Sequence, residues 1–520
     1  MENKRKNRSL LLFLVSNYFL GLGSIMAQPA IQWQRAFGGS DSDEATSVQQ
    51  TQDGGYIVSG STISFDGDVI GNHGGGDYWV LKLSETGQLG WKKTFGGTNN
   101  EGCYKVRPTS DGGYILAGYT YSNGGQVSGN HGDIDAWIVK INASGVIQWQ
   151  KCFGGTKWDE AWSIVETFDG GYAFIGFTNS NNGDVSGLHG ALDFWVVRLT
   201  NSGDLVWQKA LGGSGIDQGY VIKQTADGGF IVAGESQSSN GDVSEENQGG
   251  DYWVVKLSEN GEIEWGRLFG GLGLDRPNDI WQRNDGSYLV FGHVSFGGGD
   301  VEQHFGGYDW WLIQIDMFGN LLWEKTYGGS GEDWSGSICA AYGGGFVLAG
   351  STNSKDGDVL DNDGGIDFLM LKVDSVGNLV WQVTYGGTKG EQCFSVDQTL
   401  DGGYITAGFA WSNNGDVSGV HGDSDFWIVK LAPETSSTQT PTAIPLNLYP
   451  NPATQWITLN LPIIEQNMQV SITDEQGKLL QSRTIRTDEK LDIAALPPGI
   501  YWVSAASKSG QVYAGKFVKR

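Results

Sequence analysis

No stretch of this chain carries apolar residues at helical spacing; short strand-like runs between Gly-rich turns stand in their place. In the first unit Ala45–Thr51, with Val48 apolar, reads as one strand, and Asp53-Gly54-Gly55 as a turn in which Gly supplies positive φ. Tyr56–Gly60 is the partner strand and Asp77–Leu83 a third. Leu89–Phe95 is a fourth, reached through the tight turn Glu85-Thr86-Gly87. A long connection, Ser61–Gly76, joins the second strand to the third.

The unit recurs without insertion or deletion. A Trp, then an aromatic or Leu, then Gly-Gly returns at Trp33, Trp91, Trp149, Trp207, Trp265, Trp323 and Trp381, a step of 58 residues each time. A fixed period of this length is the sign of a solenoid or a propeller, and four short antiparallel strands per unit describe a propeller blade. The expected fold is all-β: a seven-bladed β-propeller followed by a small β-sandwich. Gly60 recurs as Gly118, Gly176, Gly234, Gly292, Gly350 and Gly408, and Gly inside a strand marks close approach of another group. The third strand carries Trp79, Trp137, Trp195, Trp253, Trp311 and Trp427, with Leu369 in the sixth copy; flat rings suit packing between blades. The frame predicts how the ring closes. Ile31–Phe37 has no third strand before it, and Phe426–Leu431 has no fourth strand after it. The first should complete the blade of the second.

Lys4, Arg5, Lys6 and Arg8 precede a broken apolar run that ends in Ser24-Ile25-Met26-Ala27. Residues 1–27 therefore read as a secretory signal peptide, the run being too short and too interrupted to span a membrane. Residues 28–432 are the expected propeller, 433–445 a Pro/Ser/Thr linker and 446–520 a second domain. The net charge is −26, and since the signal segment and residues 446–520 are both net basic, the acidity lies in the repeats. Such a surface repels nucleic acid and anionic lipid. Disorder is excluded by 21 Trp and 22 Phe. Cys103, Cys152, Cys339 and Cys393 have no metal-site spacing and read as small buried apolar residues.

The words Asp-Gly-Gly-Tyr, Gly-Asp-Val-Ser-Gly and Asp-x-Trp-Val-Val-Lys-Leu resemble the Gly-rich propeller repeats of exported proteins of the Bacteroidetes type. The Leu83 to Trp91 word is distantly similar to the docking word of quinoprotein blades, but their eight blades and vicinal Cys pair are missing, so only architecture carries over. In the tail, Tyr449-Pro450-Asn451-Pro452, the Leu496–Val503 stretch and the Lys516–Arg520 ending occur in the order seen in the C-terminal sorting domain of the type IX (Por) secretion system, which residues 446–520 resemble. The resemblance implies Sec export to the periplasm, passage through the outer membrane by the type IX machinery, removal of the tail and attachment to the cell surface.

Three acidic positions repeat. Asp77, Asp135, Asp193, Asp251, Asp309, Asp367 and Asp425 open the third strand and read as structural carboxylates, since a catalytic acid would be needed once. Asp43, Glu101, Asp159, Asp217, Asp275, Asp333 and Glu391 precede the inner strand; they either cap it or ring one mouth of a channel and recruit cations. The long connections carry Asp68 and its equivalents in Gly-rich loops that read as Asx turns or, alternatively, as Ca²⁺ holders. No other cofactor and no catalytic motif is indicated. The long connections should share one face, and His73, His131, His189, Trp411 and His421 on them are the candidate ligand residues, rings beside amides being what sugars use. The expected function is a secreted or surface adhesion, glycan-binding or scaffolding module without enzymatic activity. The alternative is a polysaccharide hydrolase or lyase with a site on one propeller face, its foothold being the deviating fifth and sixth copies around Arg276-Pro277 and Ala340–Gly343.

Overall fold

The computed structural model describes residues 28–434, apart from 248, 361 and 363, and in the tail residues 444–460, 466–473, 479–486, 490–506 and 512–520. The expected signal peptide and residues 435–443 of the linker lie outside the described residues. Gln28–Glu434 forms one compact unit and the tail belongs to another.

Seven four-stranded antiparallel sheets make up the first unit. The first sheet runs Asp43–Gln50, Tyr56–Thr62, Asp77–Leu83, Leu89–Phe95 in sequence order. The last runs Glu391–Gln398, Tyr404–Ala410, Asp425–Leu431 and takes Ile31–Phe37 as its fourth strand. Phe37 pairs with Phe426 and Trp33 with Lys430, so the N-terminal strand closes a seven-bladed propeller and leaves no open seam.

The recurring in-strand glycine has a local cause. Ala45 pairs with Gly60 and Ser47 with Ser59, leaving Thr46 unpaired in a β-bulge. At this crowded point a Cβ on Gly60 would fall 1.9 Å from the carbonyl oxygen of Glu44. The same bulge leaves over Tyr104, Trp162, Tyr220, Asn278, Gly336 and Phe394 in the other six inner strands.

Blades meet through rings. The third-strand Trp residues are fully buried. Trp137 lies 4.6 Å from Tyr78 of the preceding blade, Trp253 4.8 Å from Phe194, and Trp79 4.6 Å from Phe426 across the closure. Where the sixth blade has Leu369 the preceding blade supplies the bulk: Trp310 is fully buried and shares a core cluster with Leu369. The fourth-strand Trp docks outward on the next blade's turn. Trp91 Nε1 donates to the Ala143 carbonyl at 3.1 Å, and the Trp33 ring lies where a Cβ on Gly87 would stand, 2.9 Å away.

The tail comprises a five-stranded and a three-stranded sheet. Ile457, Leu459, Val470, Ile472, Tyr501 and Phe517 are among the residues of its single core. Asn451 joins the two ends of this domain: its Oδ1 accepts Val518 N–H at 2.9 Å and its Nδ2 donates to the Lys516 carbonyl at 3.0 Å.

Candidate functional site

The repeated carboxylates and the Gly-Gly words account for each other. Asp43 accepts the Gly39 N–H at 2.7 Å, four residues back, and Glu101 and Asp159 accept those of Gly97 and Gly155 at the same distance. Asp217, Asp275, Asp333 and Glu391 do likewise with Gly213, Gly271, Gly329 and Gly387. The first Gly of the word is wedged between two acids. A Cβ on Gly38 would lie 2.4 Å from Asp425 Oδ1 and 2.7 Å from Asp43 Oδ2. All seven members of the Asp43 set are buried between blades and none lines the central channel, so the carboxylate ring at the mouth is not formed. Burial first, and the like charge of Asp425 after it, push Asp43 up to about 6. Asp275 is pushed up to about 7 by burial, with Asp251 adding.

The other set holds the histidines. His73 Nδ1 lies 2.6 Å from Asp77 Oδ2, which also accepts the His73 N–H at 3.0 Å. His131, His189 and His421 stand in the same way on Asp135, Asp193 and Asp425, at 2.7, 2.9 and 2.8 Å. Asp309 accepts the N–H of Phe305 instead. The long connections lie down on the Gly-Gly turns: Asp68 N–H donates to the Gly38 carbonyl at 2.8 Å, and Asp184 and Asp242 to those of Gly154 and Gly212 at 2.9 Å. Among the described residues no group of three or more His, Cys, Asp or Glu side chains is arranged to hold a metal ion.

Sequence reasoning missed the centre of the ring. A cavity of about 620 Å³ opens there, lined by Thr46, Tyr104, Trp162, Tyr220, Asn278 and Phe394 among others. These six are the bulge residues of their strands. A bulge adds a residue that the ladder does not pair, and so re-aims its side chain. Because the inner strands start at the end where the long connections also lie, the mouth opens on the loop face. Tyr104 and Trp162 stack at 4.1 Å and 14°, and Trp162 meets Tyr220 edge-on at 5.2 Å. Glu160 lies behind this wall, its carboxylate accepting from Tyr104 OH at 3.1 Å, Trp158 Nε1 at 2.6 Å and Trp162 Nε1 at 3.0 Å. Arg276 completes it, with its guanidinium 4.1 Å from the Tyr220 ring centre and 4.9 Å from that of Trp162.

Another part of the lining is polar. Asn278 Nδ2 donates to the Ser335 carbonyl at 2.7 Å and to its Oγ at 2.8 Å, and His293 Nδ1 lies 3.0 Å from the same Oγ. Burial, with the Arg276 charge, holds the His293 imidazole down to about 3, so the ring is neutral. Lys105 also lines the cavity. Deeper residues are charged: Lys223 pairs with Asp279 at 2.9 Å, and Asp397 accepts Gln50 N–H at 3.0 Å. Burial, then Arg107, bring the Lys105 amine down to about 7 against the opposing pull of Asp279.

Of the residues expected on the ligand face, Trp411 connects to this site. Its ring meets Phe409 at 4.7 Å, and Phe409 meets Phe394 of the lining at 5.7 Å. Tyr121 reaches Tyr104 through Tyr119 in the same way, at 5.9 and 5.6 Å. The signal that would have found the cavity is variation. Within an otherwise uniform repeat the bulge position reads Thr, Tyr, Trp, Tyr, Asn, Gly, Phe, and the position two before it Glu, Gly, Glu, Gln, Arg, Trp, Gln.

Residues 447–520 match the family of the secretion system C-terminal sorting domain, Por_Secre_tail. The tail is a type IX sorting domain; it engages the type IX machinery and directs export to the cell surface or the extracellular space. No curated protein matches the chain. Among solved structures it is similar to Sqt1 from Chaetomium thermophilum, at 11% identity over 78% of this chain and 99% of that one, with a TM-score of 0.38. It is likewise similar to the Pan2 WD40 domain of Neurospora crassa, at 11% identity over 74% and 88%, with a TM-score of 0.38. A structure of YCF48 bound to D1 peptide matches at 10% identity over 80% and 99%, with a TM-score of 0.38.

Proposed function

We propose that this protein is a non-enzymatic glycan-binding module of the bacterial cell surface and that the sugar sits in the mouth of the central channel. The observation that carries this reading is the stacked wall of Tyr104, Trp162 and Tyr220 facing a cavity that also presents Asn278, Ser335 and His293. Sugar rings bind by apolar stacking together with hydrogen bonds to hydroxyls, and about 620 Å³ falls within the roughly 300–1,000 Å³ of small-molecule sites. Residues 1–27 act as the signal peptide that delivers the chain to the periplasm, and after type IX export the propeller stays attached outside the outer membrane. Trp411 extends the wall towards the loop face, while His73, His131, His189 and His421 brace the loops around it.

Hydrolysis is the weaker reading. Glycoside cleavage uses a pair of carboxylic acids, and Glu44 is the one carboxylate among the described residues lining the cavity. The test is a glycan array run beside a polysaccharide digestion panel on the full chain, read by new reducing ends and by unsaturated products. Binding that is lost in Trp162→Ala, with no product formed, is the expected result. Product formation that disappears in Glu44→Gln would replace the binding module with an enzyme.

A further inference from the structure

Arg276 stands in the wall of the cavity without an anion among the described residues. The third-strand cations are matched elsewhere: Lys82 with Asp53 at 3.0 Å, Lys140 with Asp111 at 2.9 Å, Lys256 with Asp227 at 2.9 Å and Lys430 with Asp401 at 2.9 Å. Among the described residues the Arg276 side chain makes no hydrogen bond and no ion pair, and its Nε is buried without a partner. What it does contact is aromatic: its guanidinium carbon lies over the Tyr220 ring at 4.1 Å and the Trp162 ring at 4.9 Å, contacts that use no N–H acceptor. The nearby carboxylate of Glu160 is occupied by three donors of its own. An arginine left so in a chain of net charge −26 is not there to balance local charge.

Lys105 lines the same cavity and has no carboxylate within ion-pair distance among the described residues. Below it the channel interior holds Arg107 and Lys223 beside Asp279 and Asp397. Lys105, Arg107 and Lys223 thus stand at this depth against Asp279 and Asp397, with Glu44 on the lining, so the channel concentrates cations that the acidic outer surface lacks.

Resting on the saccharide reading above, we infer that the channel mouth selects uronic-acid saccharides: the sugar ring stacks on the aromatic wall and its carboxylate is received by the edge of the Arg276 guanidinium, with Lys105 adding the second positive charge. A planar carboxylate fits the paired N–H groups of a guanidinium, and a charge-assisted pair in a partly dry site is stronger than a neutral one.

The test is calorimetric titration of the full chain with a galacturonic acid trisaccharide and with its carboxyl-reduced, neutral counterpart. The acidic sugar should bind at least about tenfold more tightly, and high salt should shrink the difference. Arg276→Gln should abolish the preference, bringing the two sugars to equal affinity. Should Arg276→Gln unfold, as its melting curve would show, Lys105→Gln serves as the second variant and should lower the preference. Equal affinity for the two sugars, or a preference that survives in the folded variant, overturns the inference and leaves the saccharide site standing. Binding of neither sugar, while the glycan array finds another ligand held at Trp162, also overturns it. No saccharide bound on any surface removes both readings.

Discussion

Replacing Glu434 by Gln should cost the ring about 3–5 kcal/mol, the usual loss when one partner of a buried ion pair is removed. In five blades the third-strand cation pairs with the Asp of the Asp-Gly-Gly turn. Those Asp side chains are 35–69% exposed, and wet pairs of this kind contribute about 1 kcal/mol or less. The sixth blade has Gly343 where that Asp should stand, so Lys372 is left without its turn partner. Glu434, three residues beyond the end of the Asp425–Leu431 strand, fills the gap with its side chain 0% exposed against a Lys372 that is 5% exposed. Tyr404 OH donates to Glu434 Oε1 at 2.6 Å, and the Lys372 amine retains one backbone acceptor, the Tyr342 carbonyl, at 3.1 Å. Removing the carboxylate therefore strands a buried ammonium. Denaturant unfolding followed by Trp fluorescence reads the loss, with Asp53→Asn as the exposed comparison. Adding Lys372→Met to Glu434→Gln should recover much of it, because no unpaired charge then remains. A single-variant cost no larger than that of Asp53→Asn, or a double variant no better than the single, would refute the reasoning.

Deleting Ile31–Phe37 should open the ring and lower stability by at least the roughly 3–5 kcal/mol of one lost core aromatic, seen as a fall in the unfolding midpoint; an unchanged midpoint contradicts the closure. Stability should rise as pH falls from about 8 to about 5. Asp43 and Asp135 are held at about 6 and Asp275 at about 7, in each case chiefly by burial. The folded chain keeps protons that the unfolded chain releases, so this contribution is complete below the ordinary carboxylate range and is lost as pH rises through 6 to 7. A higher melting temperature at pH 8 than at pH 5 would count against it. The surface form should end within residues 435–445 by mass spectrometry, leaving Glu434 in place; an intact Arg520 on that form contradicts removal of the tail.

The scaffold was legible because its determinants are local and repeated. The step from Trp33 to Trp91 sets the blade, the tight turn at Gly87 puts the third and fourth strands together, and the unmatched Ile31–Phe37 strand then has one place to go. Gly60 announced a close approach, and the bulge beside it is what makes the approach close. The channel site was not legible for the same reason. Tyr104, Trp162, Tyr220 and Arg276 sit in different copies at positions where the repeat does not repeat, and only the closed ring brings them together. The histidines are legible as loop residues, but that each has its Nδ1 held by Asp77, Asp135, Asp193 or Asp425 four residues on is seen only in the fold. Glu434 was invisible too, because its partner, Lys372, lies 62 residues away in another blade.

The most direct test of the account is a crystal of the full chain soaked with a saccharide that the glycan array identifies. Density for a sugar ring is expected in the channel mouth, stacked on Trp162 or Tyr220 and within hydrogen-bond reach of Asn278 or Arg276. An empty channel, with the sugar bound on the outer loops beside Trp411 and His421, would contradict it.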